Sequence, residues 1–284
     1  MELIKTVLLG IIQGLTEFLP VSSSGHLILA QTFLNARTPD MLVEVVLHLG
    51  TGIAVLYVFR KDIFSLITGM VSKDSIRRKN SFLYLWWIIL ATIPAAVVGI
   101  GFKNQIGVLF DTTRHDNLAA YLASTMLFVT AALLFFSSKC GVEKGEGENR
   151  GKLNLVKVIA IGLIQAVAIM PGISRSGSTI AVALLVGVSR EEAGKFSFMM
   201  ALPAIFGAAL LDARHVSSIP PDMALNLFFG FIASLAVGIA ALKLLLSFVK
   251  KGKFHYFAYY CIGAALVSLV CLTFFPGLTH RGGI

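Results

Sequence analysis

Apolar residues dominate six long runs of this chain, and each run is long enough to cross a bilayer as a helix. A helix needs about 20 residues to span the hydrocarbon core. The runs lie at about 41–59, 82–101, 118–136, 193–211, 223–249 and 257–275. The pattern therefore predicts an all-α integral membrane protein with about six transmembrane helices.

Two further apolar segments, at about 2–34 and 153–188, are interrupted halfway by proline, glycine and clustered serine. Neither half of these segments is long enough to cross about 30 Å of hydrocarbon as one helix. A broken helix at membrane depth is tolerated where protein or a water-filled cavity shelters the freed backbone. Both segments are therefore predicted to form broken, re-entrant helical hairpins.

The two broken segments are copies of one another. Residues 10–26 (GIIQGLTEFLPVSSSGH) align without a gap with residues 162–178 (GLIQAVAIMPGISRSGS), at an offset of 152. The shared polar and small residues are Gln13 and Gln165, Ser22 and Ser174, Ser24 and Ser176, and Gly25 and Gly177. The differing residues are Glu17 and Ile169, Ser23 and Arg175, and His26 and Ser178. One copy carries an acid and a base and the other a fixed cation, which indicates one site assembled from two halves.

Basic residues orient the predicted spans. The loops 60–81, 137–152 and 250–256 hold six, four and three Lys or Arg residues, whereas the loops assigned to the opposite side and the C-terminal tail hold Lys103, Arg114, Arg214 and Arg281. Because cytoplasmic loops carry the excess of Lys and Arg, the spans after the two copies run in opposite directions, which predicts inverted-topology repeats. The single membrane domain 1–284 divides into repeat 1 at about 1–136, a cytoplasmic loop at about 137–152 and repeat 2 at about 153–275.

The composition supports the membrane class. Hydrophobic residues make up 56% and charged residues 14% of the chain, whereas soluble domains carry about 25% charged residues. The net charge of +9 comes from basic residues in short loops, which is typical of topology signals. The expected surroundings are therefore a phospholipid bilayer, and no nucleic-acid partner is expected. A homodimer is left open.

Gln13 and Glu17 lie four residues apart and share one face of the first predicted hairpin helix. A carboxylate within a membrane segment is costly and indicates function, although a helix end at the interface would also account for Glu17. Oxygen ligands at this spacing suit a hard cation such as Mg²⁺ or Ca²⁺. Two positions alone do not define a metal site.

A serine cluster follows each break, where the next helix begins. Serines there can cap backbone amides, and a helix N-terminus beside a glycine is a natural phosphate site. Arg175 adds a guanidinium that pairs with phosphate in a bidentate geometry. Helix capping alone is the alternative explanation of the serines. The predicted substrate-binding residues are Ser24, Gly25, Ser174, Ser176, Gly177 and Thr179.

Two histidines lie near these residues. His26 follows Ser22 by one helical turn, which suits a base acting on a serine hydroxyl or a water, and a packed, hydrogen-bonded histidine is the alternative. Glu44 and His48 form a weaker pair on the first long span. Glu44 is predicted to line the cavity as a substrate-binding residue or to face the headgroups, and His48 is as well explained by a structural role.

Together these segments resemble the bacterial undecaprenyl-pyrophosphate phosphatase family, the integral membrane type linked with bacitracin resistance. Two signatures carry the resemblance, residues 13–26 (QGLTEFLPVSSSGH) and residues 171–179 (PGISRSGST). The likeness continues through 187–190 (GVSR), 196–198 (FSF) and 202–203 (LP), and the length fits the whole chain. One position departs from the family pattern, because Gln13 stands where many relatives have Glu; an amide oxygen can bind a cation but cannot accept a proton.

The resemblance implies hydrolysis of undecaprenyl pyrophosphate to the monophosphate, which recycles the lipid carrier of cell-wall synthesis. It also implies a bacterial plasma-membrane location, a site that opens to the outer face, and a divalent cation (Mg²⁺ or Ca²⁺) at Glu17 and Gln13. The catalytic roles that the resemblance implies are Glu17 as the essential carboxylate, His26 as a general base or proton shuttle, Ser22 or Ser23 as the nucleophile, and Arg175 as the pyrophosphate ligand.

A transporter or flippase of an anionic lipid or solute is the alternative, since inverted repeats with anion sites at helix N-termini are common among transporters. The confinement of acid and base to one copy favours the enzyme, because alternating access tends to need two exchangeable halves. Membrane phosphatases with a histidine nucleophile are excluded, since their Lys-x6-Arg-Pro signature is absent.

Overall fold

The computed structural model describes residues 2–33, 41–110, 117–140, 151–213 and 223–275. Within these ranges the chain forms twelve helices and no β-strand, and one isolated parallel bridge joins Gly151 to Val188. The helices are α1 (Glu2–Phe18), α2 (Ser23–Phe33), α3 (Met41–Val58), α4 (Arg60–Met70), α5 (Ser75–Gly101), α6 (Lys103–Leu109), α7 (Leu118–Ser137), α8 (Leu155–Val167), α9 (Arg175–Leu185), α10 (Arg190–Ala213), α11 (Ala224–Lys250) and α12 (His255–Phe274).

The six predicted spans correspond to α3, α5, α7, α10, α11 and α12. Five helices in the described part of the chain are long and apolar enough to cross a membrane, and a sixth crossing is counted if α3 and α4 form one bent span. The prediction of an all-α, multi-pass membrane protein is therefore confirmed. The cytoplasmic loop was predicted at about 137–152, and its residues 141–150 lie outside the described residues.

The segment 60–81, which the sequence predicts as a loop, contains a helix. α4 is bent by 69° from α3, and it exposes Phe64 and Ile67 while Leu66 packs against the core. A short helix with polar and apolar sides is typical of an element that lies along a membrane surface. α5 then begins at Ser75, earlier than predicted, because the Asp74 carboxylate accepts the Ile76 N–H at 2.9 Å and caps the helix.

Both broken segments are a helix, a break and a second helix. The breaks fall at 19–22 and 168–174, and α2 and α9 coincide from end to end when 152 is added to the residue numbers of α2. Each second helix begins with the same cap, because the side-chain oxygen of the preceding serine accepts an N–H three residues later. The distance is 3.2 Å from Gly25 to Ser22 and 3.1 Å from Gly177 to Ser174.

The tips of the two hairpins touch each other in a reciprocal manner. A Cβ placed on Gly25 would lie 2.9 Å from the Gly172 Cα, and a Cβ placed on Gly177 would lie 3.0 Å from the Pro20 Cβ. The offset of 152 converts one of these pairs into the other, which is the signature of a two-fold contact between equivalent surfaces. The hairpins therefore meet tip to tip around a local two-fold axis, as inverted repeats require.

The repeats also exchange helices. α1 packs on α11 of the second repeat, and α8 packs on α5 of the first. Small residues allow this close approach: Gly10 faces the Gly230 carbonyl, and a Cβ on Gly162 would lie 2.9 Å from the Ala91 Cα. The two halves thus interlock into one bundle, and entry of the hairpins from opposite membrane faces stays a prediction.

Candidate active site

Glu17, one residue before the end of α1, forms an ion pair with Arg175, the first residue of α9. Arg175 Nη2 donates to Glu17 Oε1 at 2.6 Å, and the two side chains are only 19% and 10% exposed. The Ser174 cap and the Thr179 hydroxyl, which donates to the Arg175 carbonyl at 2.8 Å, fix the start of α9. The acid of the first copy and the cation of the second therefore meet, as the sequence indicates.

Three further side chains surround the other carboxylate oxygen, Glu17 Oε2. The Gln13 amide donates to it at 3.1 Å, the Ser23 hydroxyl donates to it at 3.5 Å, and His48 Nε2 lies 4.0 Å away. α1, α2, α3 and α9 each contribute to this group. A carboxylate with three polar neighbours and a guanidinium forms a compact, charged centre between the repeats.

The convergence on Glu17 reveals His48 as a site residue that the sequence analysis did not select. His48 Nδ1 donates to the Glu44 carbonyl at 2.8 Å, and this contact directs Nε2 towards Glu17. The spacing of Glu44 and His48 placed both on one helical face, but no signal in the sequence showed that α1 lies opposite that face. Glu44 itself is half-buried on α3, one turn before His48.

His26 contacts α12 through Tyr260. Its Nδ1 donates to the Ser22 carbonyl at 2.9 Å, because a carbonyl oxygen only accepts, and its Nε2 then accepts from the Tyr260 hydroxyl at 2.9 Å. The two rings are stacked with centroids 5.6 Å apart. Its role as a base or proton shuttle stays a prediction, and the structure adds Tyr260 as its partner.

The serines of the two clusters differ in exposure. Ser22, Ser174 and Ser176 are buried, whereas Ser23 is half-buried and Ser24 is exposed. Within each cluster the hydroxyls separated by one residue lie side by side, at 3.4 Å for Ser22 and Ser24 and at 3.3 Å for Ser174 and Ser176. The hydroxyls of Ser22 and Ser174 therefore cap helices, and Ser23 is the serine that faces Glu17.

Two buried features of α9 bear on anion binding. Arg175 Nη1 has no hydrogen-bond partner among the described residues, so one donor of the guanidinium is uncommitted. Thr179 is buried and its hydroxyl lies 2.5 Å from the Ser197 hydroxyl. Thr179 therefore supports the first turn of α9 through hydrogen bonds, and its predicted contact with substrate stays a prediction. The N-termini of α2 and α9 both lie at the hairpin tips, where helix dipoles favour anions.

Oxygen donors at Glu17 fit a divalent cation. The described residues contain no group of three or more His, Cys, Asp or Glu side chains suited to a metal ion. Glu17 Oε2 and the neighbouring Gln13 amide, which presents oxygen when it is rotated by 180°, supply two oxygen donors. Mg²⁺ is commonly held by one or two carboxylates together with water and substrate phosphates, so the donors fit such a cation.

A cavity of about 380 Å³ lies in another part of the fold, between α4, α5 and α10. Its lining includes Tyr84 and the ion pair of Asp62 and Lys195, whose charged atoms are 2.5 Å apart. Neither Glu17 nor Arg175 lines this cavity. The candidate active site is therefore defined by converging side chains and is separate from the cavity.

Comparison with known proteins covers almost the whole chain. Residues 6–267 match the family model described as bacitracin resistance protein BacA. A protein of Methanobrevibacter smithii named undecaprenyl-diphosphatase is 40% identical over 290 residues, which cover 99% of each chain. A protein of the same name in Syntrophotalea carbinolica is 42% identical, and the match covers 92% of this chain and 95% of the relative. Another in Korarchaeum cryptofilum is 36% identical, and the match covers 95% of this chain and 100% of the relative.

Proposed function

Because the chain belongs to the family of the bacitracin resistance protein BacA, we propose that it hydrolyses undecaprenyl pyrophosphate to undecaprenyl phosphate and inorganic phosphate. The ion pair between Glu17 and Arg175, with Ser23 beside it, is the observation that carries this proposal. A hydroxyl and a guanidinium at two helix N-termini, with a carboxylate between them, suit phosphoryl transfer. The product would return to the synthesis of cell-envelope polymers.

Arg175 binds the pyrophosphate in this proposal. Its Nη1 is buried and uncommitted, and a charge-assisted hydrogen bond to a phosphate oxygen would satisfy it. The N–H groups at the starts of α2 and α9 add donors for the same anion. The polyprenyl chain would lie along apolar helix surfaces, since the substrate is a lipid.

Ser23 is the proposed nucleophile. Its Oγ attacks the terminal phosphorus, its proton passes to Glu17 Oε2, and the bond from that phosphorus to the bridging oxygen breaks. Undecaprenyl phosphate leaves with the bonding electrons and takes the proton from Glu17. Water then attacks the phosphoserine, Glu17 accepts the proton of the water and returns it to Ser23 Oγ, and inorganic phosphate leaves. His26 would assist as a shuttle once Tyr260 releases its Nε2.

A divalent cation at Glu17 and Gln13 would neutralise charge on the pyrophosphate oxygens. The chain's own contribution is to hold Glu17 between Gln13 and Arg175, which keeps its carboxylate fixed beside Ser23. The same carboxylate therefore serves for both proton transfer and the placement of charge.

The protein is a multi-pass membrane protein, and we propose the plasma (inner) membrane with the site open to the periplasmic or extracellular face. The excess of Lys and Arg in the loops 60–81, 137–152 and 250–256 supports this orientation.

A homodimer stays a prediction. The converging residues favour an enzyme over a transporter, because they come from one acid-bearing and one cation-bearing copy.

The test is phosphate release from undecaprenyl pyrophosphate by detergent-purified protein, with Mg²⁺ or Ca²⁺ and with EDTA. We expect release by the wild type, abolition by EDTA, and a loss of at least about 100-fold in Glu17→Gln, since a directly participating acid or base contributes that much. Asp62→Asn, a matched neutralisation outside the site, should retain the activity. Absence of release with cation and native lipid supplied would refute the proposal, and an equal loss in Asp62→Asn would attribute the effect to folding.

A further inference from the structure

His48 on α3 is oriented by a hydrogen bond from its own helix. Its Nδ1 lies 2.8 Å from the Glu44 carbonyl oxygen, which accepts and cannot donate, so the ring proton is on Nδ1. In the neutral ring the lone pair is then on Nε2. Histidines that bind metals commonly donate their other ring N–H to a backbone carbonyl or carboxylate in this way.

The Nε2 lone pair faces a carboxylate oxygen. His48 Nε2 and Glu17 Oε2 are 4.0 Å apart, and a carboxylate only accepts hydrogen bonds. A proton, a water molecule or a cation placed between these two electron-pair donors would bind both of them. The His48 side chain is 42% exposed, so protein does not enclose the imidazole.

The surrounding atoms extend this pair into a partial coordination shell. The Gln13 amide and the Ser23 hydroxyl both lie within 3.5 Å of Glu17 Oε2, and each carries an oxygen that can bind a cation. Arg175 occupies the other carboxylate oxygen, Oε1. One carboxylate therefore separates a fixed cation on one side from a candidate metal position on the other.

We propose that His48 is a direct ligand, together with Glu17, of the divalent cation that the site uses. The inference rests on the proposed function, because it assigns a ligand to the cation which that function is expected to need. It changes the chemical class of the site, since an imidazole nitrogen beside carboxylate and amide oxygens accepts Mn²⁺, Co²⁺ or Zn²⁺ as well as Mg²⁺. The cation would also join α3 to α1.

The probe is Mn²⁺ alone, added to the untagged, detergent-purified full chain and observed by pulsed electron paramagnetic resonance. We expect echo modulation from a directly bound ¹⁴N in the wild type and its loss in His48→Asn, in which the amide nitrogen can still donate to the Glu44 carbonyl. His26→Asn and His255→Asn, the same change at two other histidines, should keep the modulation. A Mn²⁺ titration should show at least about tenfold weaker binding in His48→Asn, the lower range for metal-site damage.

Absence of nitrogen modulation in the wild type, or its persistence in His48→Asn, would overturn the proposal. If His48→Asn fails to fold, His48→Gln serves instead, because its amide oxygen can reach the position of Nε2. We expect that variant to bind Mn²⁺ without nitrogen modulation, and modulation in it would count against direct ligation. Phosphate release measured on the same samples separates the two conclusions: hydrolysis without nitrogen modulation refutes only the ligand, and no hydrolysis with any cation refutes the function.

Discussion

The two hairpins share a backbone scaffold and differ in chemistry. Ser22 and Ser174 cap α2 and α9 with the same hydrogen bond, at 3.2 and 3.1 Å, and the next residue is Ser23 in one copy and Arg175 in the other. The capping residues therefore serve the fold in both halves. Two of the residues that differ between the copies, Ser23 and Arg175, meet at Glu17.

A residue kept in both copies can still have two roles. Gln13 is half-buried and donates to Glu17 at 3.1 Å. Its counterpart Gln165 is 2% exposed, lies 3.4 Å from the Ala91 carbonyl, and has an Oε1 without a partner among the described residues. The partner of each glutamine therefore differs. Gln13 contacts the acid Glu17, whereas Ile169 stands at the position of that acid in the second copy and Gln165 contacts a backbone carbonyl instead.

Arg175→Ser makes the second copy like the first at this position and removes the asymmetry. We expect the rate of phosphate release to fall by about 10³ or more, because an arginine that stabilises a transferring phosphoryl group contributes 10³–10⁵ in rate. Single-turnover phosphate release is the measurement, and Arg77→Ser, an exposed arginine on α5, is the control. Retention of more than a tenth of the wild-type rate would show that the second copy does not take part in the chemistry.

Ser23→Ala and Ser22→Ala separate chemistry from scaffold within the first copy. We expect Ser23→Ala to reduce the rate by at least about 100-fold, since Ser23 faces Glu17 and a participating group contributes 10²–10⁴. Ser22→Ala should instead lower stability by about 1 kcal/mol through loss of a helix cap. Rate and thermal unfolding are measured on both, and the reverse assignment of the two effects would identify Ser22 as the nucleophile.

The sequence predicted the scaffold well, because periodicity and self-similarity are local. The offset of 152 gave the register of α2 and α9, and the run at 118–136 differs from α7 by one residue. It also predicted that Glu17 and Arg175 belong to one site. Short breaks and apolar runs are enough to predict these helix boundaries, and the alignment of the two copies is enough to predict the shared site.

Apart from the pairing of the two copies, the sequence could not predict contacts between distant segments. His48 meets Glu17 only because α3 packs beside α1, and His26 meets Tyr260 across 234 positions of sequence. α4 was missed for another reason, because its basic residues indicated a loop, and its apolar residues Phe64 and Ile67 are exposed. A single sequence shows which residues share one face of a helix, but it does not show which other helix packs against that face.

Gly25→Ala and Gly177→Ala test the two-fold scaffold itself. Each new Cβ would lie about 3 Å from the opposite hairpin, at 2.9 Å from the Gly172 Cα and 3.0 Å from the Pro20 Cβ, so we expect similar losses of about 1–3 kcal/mol from overpacking. Thermal unfolding in detergent is the measurement. Gly263→Ala, where nothing lies within 4 Å of the new atom, should cost nothing. A loss in only one of the two tip variants would show that the contact is not reciprocal.

Gln13→Glu should have the smallest effect on rate and the most specific effect on cation binding. A second carboxylate at the distance of the present amide, 3.1 Å from Glu17 Oε2, repels Glu17 until a cation neutralises both. The Mg²⁺ concentration for half-maximal phosphate release should therefore fall by about tenfold, since ligand charge sets the affinity of oxygen sites. Gln165→Met, which replaces the equivalent glutamine of the second copy without adding a charge, should leave the Mg²⁺ dependence unaltered because Gln165 faces the Ala91 carbonyl. An unchanged Mg²⁺ dependence in Gln13→Glu would mean that residue 13 only orients Glu17, and the functional asymmetry of the copies would then reduce to Glu17, Ser23 and Arg175.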